Sequence, residues 1–165
     1  MNAITIEQTS EETKLAISVH RSAAMNTIRL VRSRLSSDRP NDALKNPISL
    51  TCQVKSEHYE VSVGSLLIEV DFSLTGSNDG GKSKNKCPLS VECTFEATYR
   101  LQPDFLPSAE QVKAFKDGNA IFNCWPYCRQ YVQDAVQQMG YPPFTLPFLR
   151  VVTKRPRVQK VLESK

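Results

Sequence analysis

The segment Gly76-Ser77-Asn78-Asp79-Gly80-Gly81-Lys82-Ser83 has the spacing of a phosphate-binding loop, two glycines followed by a lysine and a hydroxyl. Such a loop holds phosphate because a helix starts directly after it and aims backbone N–H groups and the positive end of its dipole at the anion. Here Lys86-Cys87-Pro88 and a strictly alternating stretch follow instead, so the residues fit a solvated connection between two strands. The histidines are His20 and His58, and Cys124 and Cys128 stand four apart on a mostly apolar helical face, which favours core packing over metal ligation. His58 beside Glu57 and Glu60 is the candidate for acid–base work, at a turn where charged side chains ordinarily sit in water. Arg29, Arg32 and Arg34 would be the footprint of a nucleic-acid surface, yet no aromatic platform, helix-turn-helix or zinc module accompanies them. These residues therefore point away from an enzyme, and neither a cofactor, a metal nor a nucleic-acid partner is expected.

What remains is an excess of apolar and aromatic residues where a surface loop is expected: Phe105 and Leu106 before a helix, and Tyr141, Phe144, Leu146 and Phe148 within Tyr141-Pro142-Pro143-Phe144-Thr145-Leu146-Pro147-Phe148. Loops ordinarily run in water. Either this one folds back as a lid over a sheet, or lid and helix leave a groove for the apolar residues of another chain. The spacing is compatible with both.

The elements that must position these residues follow from periodicity. Leu15 and Val19 space a helix from about Ser10 to Ala24, with Ser10 as cap. Alternation from Thr27 to Leu35 predicts a strand, and Ser36 to Pro47 is turn chemistry and therefore a crossover. Ile48, Leu50, Cys52 and Val54 alternate, as do Tyr59, Val61 and Val63, which predicts a hairpin. The phase slips at Gly64-Ser65, where a β-bulge would return Leu66, Ile68, Val70, Phe72 and Leu74 to the same face. After a polar, glycine-rich connection, Leu89 to Leu101 alternates apolar with polar throughout, so one sheet face meets a core and the other meets water or a partner.

Ser108 is the cap of a short helix ending near Gly118. The stripe Ile121, Cys124, Trp125, Cys128, Tyr131, Val132, Ala135, Val136 and Met139 predicts a long one closed by Gly140, beginning or bending near Pro126. Arg155 to Lys165 reads as a short helix or a frayed tail.

The chain of 165 residues is 40% hydrophobic and 23% charged with a net charge of +4, which is enough apolar content for one α+β domain with a real core. No apolar run approaches the eighteen or so residues of a membrane span, and the N-terminus, with Glu7, Glu11 and Glu12, lacks the pattern of a secretory leader. An odd set of five sparse cysteines agrees with a reducing compartment, so a cytoplasmic protein without membrane insertion is expected.

The helix opening Trp125-Pro126-Tyr127-Cys128-Arg129 and the following Gly140-Tyr141-Pro142-Pro143-Phe144-Thr145-Leu146 resemble the SecB export-chaperone family. Met25-Asn26-Thr27-Ile28-Arg29-Leu30-Val31-Arg32 is similar to the divergent members associated with toxin–antitoxin systems. The resemblance divides the chain into an N-terminal helical extension (1–25), a SecB-like domain (26–152) and a basic C-terminal tail (153–165). It implies a curved four-stranded antiparallel sheet with a long helix on one face, plus the N-terminal helix. It also implies a homotetramer built as a dimer of dimers, and hydrophobic grooves that hold unfolded client polypeptide without ATP, for export or to protect an antitoxin.

On that reading Trp125, Tyr131, Tyr141, Phe144, Leu146 and the crossover residue Leu44 line or border the groove, with Val63, Leu66 and Ile68 as its floor; sealed core or subunit contacts are the alternative for several of them. The family engages the translocation ATPase SecA through an acidic sheet patch and an acidic tail. This chain ends instead in a segment carrying Arg155-Pro156-Arg157, and Glu92 and Glu96 would form at most a small patch, so SecA is a doubtful partner. A dedicated protein-binding adaptor on the same scaffold is the alternative to a chaperone, with a nucleic-acid-binding protein ranked behind it.

Overall fold

The structure, a computed structural model, describes residues 4–37, 49–77 and 89–154. The elements run β1 (Ile4–Gln8), α1 (Ser10–Ser22), β2 (Ala23–Ser37), β3 (Ser49–Lys55), β4 (Tyr59–Ser62), β5 (Ser65–Ser77), β6 (Leu89–Leu101), α2 (Ala109–Phe115), a π-helical turn (Lys116–Ala120), α3 (Ile121–Gln138) and β7 (Leu149–Thr153). The phosphate-loop motif opens inside a strand, with Gly76 in β5 paired to Leu89 at the start of β6, and its residues from Asn78 to Ser83 lie outside the described residues. The crossover, with Leu44, and the tail from Arg155 lie outside the described residues.

The main sheet is antiparallel in the order β2-β6-β5-β3, and β4 also pairs with β5. It is four strands wide and five segments long in the chain, because β3 and β4 lie end to end along one edge of β5: β3 pairs with Asp71 to Ser77, β4 with Ser65 to Ile68. This corrects the expected hairpin between them. The supposed bulge at Gly64 is the two-residue turn Val63-Gly64, since Ser62 pairs directly with Ser65 and Gly64 adopts φ +73°, a conformation that suits glycine. The phase slip in the sequence marks a reversal of direction.

Register places Leu66, Ile68, Val70, Phe72 and Leu74 of β5 opposite Tyr99, Ala97, Phe95, Cys93 and Val91 of β6, and all ten are buried on one face. Cys124, Trp125, Cys128, Val132 and Val136 of α3 belong to the same core. A helix covers this face, and side chains that are polar except for Leu67 occupy the other on β5 and β6.

Both short connections into helices are capped by side chains. Thr9, not Ser10, caps α1: its Oγ1 accepts from Glu12 N at 3.1 Å while Glu12 Oε2 accepts from Thr9 N at 2.7 Å. Ser108 caps α2 through the matching pair with Gln111. Gly118 does not end that helix. The chain passes through a π-helical turn straight into α3, with Pro126 inside it, and stops at Gly140.

Two strands had no counterpart in the periodicity. β1 and β7 form a separate parallel pair, Ile4 opposite Leu149 and Gln8 opposite Thr153. The N-terminal segment is thereby tied to the chain beyond the proline-rich loop, and α1 packs on α2.

Thr9→Ala is expected to lower the unfolding free energy by about 1 kcal/mol, the usual worth of such a cap. Ser10→Ala, one residue on, should change it by less than about 0.5 kcal/mol. Urea denaturation of the two variants checks the assignment.

Candidate functional site

The proline-rich segment after α3 has neither helix nor strand until β7, so its carbonyls need partners from elsewhere. Two side chains of α3 supply them: Trp125 Nε1 donates to the Pro147 carbonyl at 3.0 Å and Arg129 Nε to that of Leu146 at 2.9 Å. The Arg129 guanidinium also stacks 4.7 Å from the Phe148 ring centroid. Tyr141 and Leu146 are buried under this strap while Phe144 is only partly so. The loop is a lid, as one of the two readings of its aromatics required.

Beside the lid lies an apolar hollow of about 460 Å³, lined by Ile4, Leu50, Cys52, Leu74, Phe144, Leu146 and Pro147. Its floor is the end of the sheet's apolar face, Leu50 and Cys52 from β3 with Leu74 from β5. Phe144, Leu146 and Pro147 of the lid make one wall and Ile4 of β1 contributes to another. Among the described residues no charged side chain lines it. The volume falls within the range of small-molecule and side-chain binding pockets. The lid folds back, as the first reading of the aromatics had it, and an apolar hollow remains beside it.

Phe144 and Leu146 are the sequence-predicted residues that meet here. Trp125 is buried beneath, 5.8 Å from Phe72 between ring centroids, and serves the groove only by holding its lid. Tyr131 packs edge-on against Phe95 at 6.4 Å, and Tyr141 is core. Leu66 and Ile68 are 0% exposed and pair with Tyr99 and Ala97, so they floor no open groove. Val63 is 94% exposed at the tip of the β4–β5 turn and is not among the described residues that line this hollow. Leu44 lies outside the described residues. Leu50, Cys52 and Leu74 were missed although their alternation already put them on one face. Ile4 carried no local signal, because a parallel pairing between chain positions 4 and 149 cannot be read from spacing.

The thiols of the groove floor and of the core are held protonated. Burial pushes Cys52 up to about 11, with Cys93 adding to the shift, and burial alone pushes Cys124 up to about 12. Cys128 is raised first by a hydrogen bond with Cys93 and then by burial. At neutral pH these sulfurs are thiols and pack as small, weakly polar groups. Among the described residues no cluster of three or more His, Cys, Asp or Glu side chains is arranged to hold a metal ion. His58 and Glu60, 3.4 Å apart, are both exposed at the β3–β4 connection.

On the opposite sheet face the arginines and carboxylates answer one another. Arg29 Nε lies 2.7 Å from Glu96 Oε1, Arg32 Nη2 2.6 Å from Glu69 Oε2, and Asp71 accepts from Thr94 Oγ1 at 2.5 Å. Register puts Arg29, Arg32, Arg34, Lys55 and Arg100 on this face with Glu60, Glu69, Asp71, Glu92 and Glu96, so the strands' outward charges balance. Two of the arginines that suggested a phosphate footprint are thus engaged with carboxylates, and the face carries no acidic excess.

No family model matches the chain, and no match was found among the curated proteins. Among solved structures, the chain is similar to the Mycobacterium tuberculosis SecB-like chaperone Rv1957, in complex with a ChAD peptide from the HigA1 antitoxin: TM-score 0.71 and 17% identity over 84% of this chain and 99% of that one. A Streptococcus agalactiae protein of unknown function aligns with a TM-score of 0.39 and 8% identity over 76% of this chain and 97% of that one. The first likeness shows that the chain has the SecB-like fold. No helix among the described residues is long and apolar enough to cross a membrane.

The buried thiols set a pH dependence. Their folded-state values lie above the ordinary 9.0, so the folded chain holds these protons more tightly and their contribution to stability is complete below about pH 9. It is lost as pH rises from there toward 11 and 12. Urea midpoints recorded at pH 7.5, 9 and 10.5 should fall across the last two, and fall less steeply in Cys124→Ala.

Proposed function

We propose that the chain is a chaperone that works without nucleotide, holding extended, aggregation-prone polypeptide in the groove between lid, sheet and β1. The observation that carries this is the groove itself, a hollow with apolar described walls, open at the surface of a SecB-like domain and lined in part by a partly buried Phe144. The presence of an antitoxin peptide on the Mycobacterium tuberculosis neighbour supports a peptide as the kind of ligand.

The energetics suit transient holding. Ordering about ten residues of a client costs on the order of 10 to 20 kcal/mol. Burying about 800 Å² of apolar surface returns about 20 kcal/mol, so one groove binds weakly. Several grooves on one oligomer raise the hold without demanding a particular sequence. We infer a homotetramer, a dimer of dimers, in the cytoplasm. Apolar side chains left exposed along β2, Met25, Leu30 and Leu35, with Phe122 and Tyr127 of α3, support subunit contacts on that flank. An antitoxin or an exported protein would be the client. SecA is not part of the proposal, because the balanced sheet face offers no acidic patch. A dedicated adaptor for a single partner is the second reading, favoured by the single defined peptide carried by the Mycobacterium tuberculosis neighbour.

The test is aggregation of a slowly refolding, unrelated protein, without nucleotide, with oligomer mass recorded by light scattering. The wild type should suppress aggregation as a tetramer. Phe144→Ser should weaken suppression several-fold while costing the fold no more than about 1 to 2 kcal/mol, as befits a side chain only partly buried. Absence of suppression, together with a monomer or dimer in the scattering cell, would reject the chaperone reading in favour of the adaptor.

A further inference from the structure

One wall of the groove comes from the far N-terminus, and its placement is fixed by a device at the other end of the same strand. Ile4, Ile6 and Gln8 share the inward face of β1, Ile4 and Ile6 packing against the core. Gln8 is 6% exposed, and its Nε2 donates to the Ala114 carbonyl at 2.7 Å. Its side chain fills the place that a Cβ on Gly118 would need: such an atom would lie 2.5 Å from Gln8 Nε2 and 2.8 Å from its Cδ. Gly118 is the middle residue of the π-helical turn, so the notch exists only because the helix is irregular there and lacks a side chain.

This key sets the register of β1. A slip of one residue would turn Ile4 and Ile6 outward, and a slip of two would put Ile6 into a seat built for an amide. Either would strip a buried carbonyl of its donor and remove Ile4 from the groove four residues away, about 13 Å along the strand. The backbone closes the arrangement, Ile4 N donating to Phe148 O at 2.9 Å and Lys154 N to Gln8 O at 2.7 Å. The same turn also fastens the floor. Lys116 Nζ donates to the carbonyl of Ser56, directly after β3, and Ser56 Oγ donates to Asp117 Oδ1 at 2.9 Å.

We propose that Ile4 is a specificity-determining residue of the groove, setting the size of apolar side chain it accepts, and that Gln8 and Gly118 are positioning residues that hold it there. The proposal rests on the groove being the peptide site. Shortening Ile4 widens that end of the hollow, so bulky side chains gain relative to medium ones.

The probes are two fluorescein-labelled ten-residue peptides alternating Ser with Leu in one and Ser with Trp in the other, titrated by fluorescence anisotropy. Ile4→Ala should shift the ratio of the two affinities about ten-fold toward the Trp peptide, the scale on which apolar pockets discriminate. Gly118→Ala, which evicts Gln8, should shift the ratio the same way and speed hydrogen exchange at the Ile4 and Lys154 amides while Val132 stays protected. Gln8→Ala should do likewise if Gly118→Ala fails to fold. A ratio unchanged in Ile4→Ala overturns the proposal alone, provided that Phe144→Ser loses both peptides. Failure of both peptides to bind the wild type overturns the groove reading and this proposal with it.

Discussion

Only one face of the sheet leaves water, and most of the molecule is arranged to meet that demand. The inward side chains of β5 and β6 form a strip from Leu66 to Leu74 and from Leu89 to Leu101 in which every apolar residue is buried. Removing each large aliphatic or aromatic side chain from water is worth about 1.5 to 3 kcal/mol, so the strip must be covered, and a strand cannot cover it. Helix α3 does so with the stripe Cys124, Trp125, Cys128, Val132 and Val136. The cysteines suit this contact because a small, protonated thiol lets helix and sheet approach closely.

A helix of this length leaves part of the face uncovered. Toward β3, the outer floor at Leu50, Cys52 and Leu74 is bounded by the lid and by β1. Those two walls share a logic, since neither has regular partners on both sides and each is pinned by side-chain to main-chain hydrogen bonds. Trp125 and Arg129 hold the lid from α3. Gln8 holds β1 at the carbonyl of Ala114, and Lys116 reaches the carbonyl after β3. The π-helical turn is therefore the joint where floor and wall are fastened to the helix. The groove persists because its surroundings are anchored around it, with none of the anchoring groups inside it.

On the outward face the chemistry is different in kind. The arginines of β2 face carboxylates of β6 and β5, with Arg29 on Glu96 and Arg32 on Glu69, and pairs whose arginine stays in water contribute little to stability. Their effect is on association: a balanced grid discourages a strongly charged partner and keeps a long, open strand such as β2 from indiscriminate pairing.

The sequence by itself determined the elements whose evidence is local. Period-two alternation located β2, β3, β5 and β6, the stripe at 3.6 located α3, and Ser108 and Gly140 marked helix ends, because each of these patterns is written within a dozen residues. The Trp125 to Arg129 and Gly140 to Leu146 segments carried the resemblance to SecB, and the fold agrees with it. Even locally, direction was ambiguous: a phase slip at Gly64 is equally a bulge or a reversal, and only the pairing of Ser62 with Ser65 decided. Tertiary structure alone decided what depends on residues far apart. The parallel pairing of β1 with β7, the seat of Gln8 at Gly118, and the joining of Ile4, Leu50, Leu74 and Phe144 into one hollow span separations of up to 145 residues. Burial sorted Leu66 and Ile68 into core and Phe144 into groove wall, since an apolar side chain looks the same in sequence whether a helix happens to cover it or not.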